Sequence, residues 1–69
     1  MYKELRKELI ERNMTAKELA QRIGMAESAL SMRMSGKREF RSYEILKISK
    51  VLQLSKDRVM AIFFGDQVG

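Results

Sequence analysis

The chain contains neither cysteine nor histidine. Disulfide staples and thiolate metal sites are therefore excluded, and a zinc site would have to rest on carboxylates alone, which zinc rarely accepts. The lack of cysteine fits a reducing compartment, so a cytoplasmic setting is expected. Proline is absent, and glycine occurs only at positions 24, 36, 65 and 69, so breaks in regular structure are few. No apolar run approaches the roughly 20 residues of a membrane span, and no signal-peptide pattern opens the sequence, so no membrane partner is expected. Repeats, low-complexity tracts and strand-like alternation are also missing. With 69 residues the chain makes one domain, 1–69. A chain of that length buries only about 60% of its unfolded surface, which leaves little room for an enclosed substrate cavity. There is no glycine-rich phosphate loop and no carboxylate pair in a recognisable cleft. These absences argue against an enzyme, and no cofactor or metal is expected.

What is present is a balance of 45% hydrophobic and 33% charged residues, that of a folded globule. Net charge is +5. Its distribution is uneven. Residues 33–50 hold Arg33, Lys37, Arg38, Arg41, Lys47 and Lys50 against Glu39 and Glu44, a local excess of +4, whereas residues 51–69 balance to zero. A localised basic patch is the footprint of a polyanion partner or simply a solvated basic surface; charge alone leaves both open.

Helical spacing runs through the chain. A first helix is predicted from about Tyr2 to Arg12, with Leu5 and Leu9 four apart on one face, Ile10 beside them, and Lys3, Glu4, Lys7, Glu8 and Glu11 on the wet side. Asn13 tolerates the left-handed backbone of a helix stop. Thr15 and Glu18 have the spacing of a capping box, with Met14 placed to staple onto Leu19. Leu19, Ala20 and Ile23 form the buried stripe of this second helix. Gly24 ends it where positive φ is needed. A third helix spans about Ala26 to Ser35, with Leu30 and Met34 four apart and Gly36 beyond its end. Small Ala20 and Gly24 allow the sharp approach of a helix-turn-helix at about 15–35. "KREFR" is a basic loop with one apolar anchor, Phe40. A fourth helix follows from a Ser42 cap to Leu52, carrying Ile45, Ile48 and Leu52 inward, and Ser55 caps a fifth with Val59, Ile62 and Phe63 inward. Leu54 completes the expected core. The fold class is all-α, five short helices around one core.

"TAKELAQRIG" followed by "MAESALSMRMSGKREF" resembles the Cro/repressor-type helix-turn-helix of phage regulators. Thr15, Glu18, Leu19, Ala20, Gly24, Leu30, Ser31, Gly36 and Lys37 match in order and spacing, and "EILKISKVLQLS" resembles the fourth helix of that family. The likeness covers about residues 5–64. It implies a lambda-repressor-like fold and a sequence-specific regulator of double-stranded DNA, Cro- or repressor-like, from a phage or prophage. The chain departs from the usual pattern in places. Glu27, Ser28 and Met32 stand where Gln or Arg is frequent, and Ala16 where a polar contact is frequent. Arg33 and Met34 replace an apolar residue and a glutamate, which sets Met34 inward and Arg33 outward.

In that setting the third helix enters the major groove with its first turns on base edges. Glu27, Ser28, Ser31 and Met32 are the candidate base readers: the carboxylate accepts from cytosine N4, the hydroxyls pair with several bases, and Met32 reaches a thymine methyl. Each has a plainer reading. Glu27 also suits the helix dipole, Ser28 and Ser31 are also ordinary surface residues, and Met32 also suits a partner-facing position. Lys17, Arg33, Lys37, Arg38 and Arg41 are the candidate phosphate contacts.

One helix-turn-helix contacts few bases, and the family usually binds as a two-fold homodimer. Met60 and Phe64 form a second apolar stripe on the fifth helix, rotated from the inward one, and with Val68 they are the candidate dimer interface. The competing class is a protein-binding module of the same fold, an antitoxin or adaptor, which the atypical Glu27 and Met32 favour. Single-stranded nucleic acid is disfavoured because Phe40, the aromatic of the basic region, is expected in the core.

Overall fold

Five helices follow one another in the computed structural model, which describes residues 1–65: α1 (Lys3–Glu11), α2 (Ala16–Ile23), α3 (Glu27–Met34), α4 (Ser42–Leu52) and α5 (Lys56–Phe63). No strand occurs among the described residues. Each boundary has a local cause. At α2 the Glu18 N–H donates to Thr15 Oγ1 at 3.1 Å while the Thr15 N–H donates to Glu18 Oε1 at 3.2 Å, the reciprocal capping box. Ser55 Oγ accepts the Arg58 N–H at 3.1 Å and starts α5. The cap of α4 differs from expectation. Ser42 is already the first helical residue, and Arg41 is the cap. Its N–H donates to the Glu44 carboxylate at 2.8 Å, so a side chain one turn inside the helix does the capping.

Helix α2 ends on Gly24 at φ 70°, and the Met25 N–H donates to the Ala20 carbonyl at 2.9 Å. A Cβ at Gly24 would meet nothing within 4 Å. The glycine therefore serves the left-handed turn rather than close helix packing, which corrects the expectation of a tight approach there. Ala20 is almost wholly buried on α2, the helix that packs against α3.

Helix α2 packs on α3 and α4, and α5 closes on α1 and α4. The core is Leu5, Leu9, Leu19, Ala20, Ile23, Leu30, Met34, Ile48, Leu52, Ile62 and Phe63, with Tyr2 at its edge. Met14, Phe40, Ile45, Leu54 and Val59 are half-buried against it. Tyr2, Phe40 and Phe63 form an aromatic triangle, with Phe40 edge-on to Tyr2 at 5.1 Å and to Phe63 at 5.2 Å. The basic loop is thus pinned to the start of α1 and the end of α5.

Two placements overturn the helical-wheel reading of α1. Ile10, expected beside Leu5 and Leu9, is 74% exposed. Glu8, expected on the wet side, is buried because Arg58 crosses from α5 to meet it. Among the described residues no helix is long and apolar enough to cross a membrane.

Candidate nucleic-acid interface

Leu30 and Met34 anchor α3 inward, which fixes what its other side presents. Glu27, Ser28, Ser31 and Met32 are all exposed. They fall at i, i+1, i+4 and i+5, so they form one strip along a single face. Its character is mixed: a carboxylate and Ser28 in the first turn, Ser31 beyond, and Met32 near the end.

The cations beside this strip are fixed by backbone geometry. Gly36 adopts φ 87°, and the chain folds back so that the Lys37 and Arg38 N–H groups both donate to the Met32 carbonyl, at 3.0 and 3.3 Å. Lys37 and Arg38 therefore stand at the C-terminal end of α3, where the helix dipole also favours positive charge. Next along, Phe40 is held in the aromatic triangle and the Arg41 N–H on Glu44. The loop is tied at Met32, Phe40 and Glu44 while its basic side chains stay outside. Lys37, Arg38 and Arg41 are exposed, as is Lys17 in the first turn of α2. Among the described residues none of these four takes part in an ion pair.

Arg33 is placed differently from the sequence expectation. Its Nε donates to Glu44 Oε1 at 2.8 Å and its Nη1 to the Ala29 carbonyl at 3.2 Å. The side chain is only 16% exposed. The phase shift at 33 and 34 does bring Met34 inward, but Arg33 follows sideways onto α4 rather than outward. Its charge already has a partner within the protein.

Glu44 is the residue the sequence reading missed. It is 2% exposed and serves both α3 and the loop. Half of the signal was local: Glu44 lies three residues after Arg41, the spacing of a side chain reaching back to a cap N–H. The other half, Arg33, lies across a loop and has no periodic signature.

Of the candidate dimer residues, Met60 is 57% and Phe64 36% exposed, while Val68 lies outside the described residues. Ile45, Leu46, Leu54, Val59 and Met60, with Ser49 and Lys56, line a mainly apolar groove of about 420 Å³ between α4 and α5.

A family model described as Helix-turn-helix matches residues 3–59, most of the chain and all of α1 to α4. No curated protein matches it. With the capping box of α2, the Gly24 turn and the outward strip of α3 in place, the chain belongs to the Cro/repressor-type helix-turn-helix family of DNA-binding transcription regulators.

Proposed function

We propose that the chain is an operator-binding regulator whose α3 lies in the major groove of duplex DNA. The observation that carries this is the pairing of an exposed, unspent polar strip on α3 with cations fixed at its end by the Met32 carbonyl. Glu27 and Ser28 meet base edges first, followed by Ser31 and Met32. Lys17, Lys37, Arg38 and Arg41 hold phosphates on either side, which positions the helix without itself reading sequence. A carboxylate among the readers costs affinity near phosphates, and the four free cations offset it.

A homodimer extends the reading. Leu46, Met60 and Phe64 are apolar and exposed on α4 and at the end of α5, and none of them is among the residues assigned to DNA. Two copies joined there, with Val68 as a further candidate contact, would present two recognition helices to a near-palindromic site. The cytoplasm is the setting this function requires.

The test is a salt titration of duplex binding by the wild type and by Arg38→Ala. Each phosphate contact contributes about 0.9 to the log–log slope, so the variant should lose about that much and bind all sequences more weakly. An unchanged slope would remove Arg38 from the interface.

A further inference from the structure

Arg33 sits within the basic stretch that begins at the end of α3, yet its charge is engaged inside the protein. Its Nε lies 2.8 Å from Glu44 Oε1, and the same oxygen accepts the Arg41 N–H at 2.8 Å. The Arg33 side chain is 16% exposed and that of Glu44 2%. One buried oxygen thus joins the recognition helix to the residue that closes the basic loop. We propose that Glu44 withholds Arg33 from the DNA backbone, so that this pair limits sequence-independent affinity for duplex DNA instead of joining the phosphate grip. The proposal rests on the duplex-DNA reading above.

The physical reasoning concerns what a loose guanidinium would do there. A phosphate contact adds affinity for every duplex and carries no sequence information. An arginine released at the end of α3 would raise binding to every duplex, random sequence included. Paired with Glu44, its charge is neutralised at short range, and its planar fork locks α3 against α4. Non-specific attraction is then left to Lys17, Lys37, Arg38 and Arg41, while the strip at Glu27 and Ser28 is held in one orientation.

Glu44→Gln separates these roles. The amide oxygen still accepts the Arg41 N–H, so the loop keeps its tie. The charge is lost, and a guanidinium without its counter-charge leaves a partly buried site for water or phosphate. Binding of the full chain to a random-sequence duplex is measured against salt for the wild type, Glu44→Gln, Arg33→Met and the double variant, with thermal melts to establish folding. Glu44→Gln should steepen the slope by about 0.9 and bind the random duplex more tightly. Arg33→Met and the double variant should keep the wild-type slope. An Arg33→Met slope shallower by about 0.9 would show that Arg33 already holds a phosphate and would overturn the proposal. So would a folded Glu44→Gln with the wild-type slope and only a lower melting temperature, the mark of a purely structural pair. Should Glu44→Gln fail to fold, the Arg33→Met slope still decides. A wild type without salt-dependent binding would be a different failure, that of the DNA reading itself, and would take this inference with it.

Discussion

Arg58 Nη2 lies 2.6 Å from Glu8 Oε1, although fifty positions separate the two residues. This contact ties α5 to α1. The other Glu8 oxygen meets Arg12 Nη1, and Arg12 Nη2 donates to the Leu52 carbonyl at 2.8 Å, at the end of α4. Arg58 Nη1 also reaches Glu4 at 3.2 Å. Glu8 is therefore a hub where the ends of three helices meet, and its burial is offset by two guanidinium partners.

Glu8→Gln should destabilise the fold. Breaking a fully buried pair costs about 3–5 kcal/mol, but both arginines are roughly a third exposed, and solvent screening reduces the expected loss to about 1–2 kcal/mol. For a domain of this size that is a drop of about 4–8 °C in Tm per kcal/mol. A thermal melt followed by circular dichroism measures it, and an unchanged Tm would show that the hub contributes nothing net.

The same hub sets an acid limit. Burial pushes the Glu8 carboxyl upward, but hydrogen bonds and charge from Arg58 and Arg12 outweigh it, and the net shift is down. Glu4 is also lowered, first by the Arg58 hydrogen bond and then by Lys7. Carboxyls with depressed folded pKa values add stability that is fully present above their unfolded pKa, about 4.3, and is lost as pH falls through the folded values. Stability measured by urea melts should fall below about pH 4.5 and more gently in Glu8→Gln than in the wild type. Equal slopes for the two would exclude Glu8 from the acid transition.

Phe40→Ala should act on both stability and binding. It removes two edge-on aromatic contacts and part of the half-buried ring, at a cost of about 2–3 kcal/mol, below the range for fully buried Phe. It also frees one of the three ties of the basic loop, so duplex affinity should fall further than that of Leu9→Ala, a core variant remote from the loop. Equal affinities for these two folded variants would show that the loop needs no aromatic anchor.

Phe64→Glu tests the dimer. Sedimentation of the wild type should show a dimer, and the variant, with a charge on the apolar C-terminal face, should be monomeric with α-helical content unchanged. A monomeric wild type, or a variant that dimerises as tightly, would remove this face from the account.

The sequence made visible what is encoded locally. Thr15 and Glu18, three apart, announced a capping box. Gly24 announced a left-handed turn, and Leu30 with Met34 announced the inward side of α3. Long-range pairing was not legible in this way. Glu8 reads as solvent-facing on an isolated helix, and only the crossing of α5 turns it into a buried hub. Arg33 reads as one more cation in a basic run, since nothing in its spacing from Glu44 marks them as partners across a loop. Tyr2 carried no motif, yet it completes the triangle that holds Phe40. The exposed strip of α3 followed directly from the periodicity, because an eight-residue helix with two buried anchors leaves little freedom for the rest.

The central claim is that the exposed strip of α3 reads base sequence. Selection of bound duplexes from a randomised pool, run in parallel on the wild type and on Glu27→Gln, tests it most directly. The account expects the wild type to enrich a near-palindromic site with half-sites about one helical turn apart. It expects Glu27→Gln to change the preferred base pair at one position of each half-site, by about 1–3 kcal/mol of discrimination. Recovery of no preferred sequence by the wild type, or of the same sequence by both proteins, would contradict it.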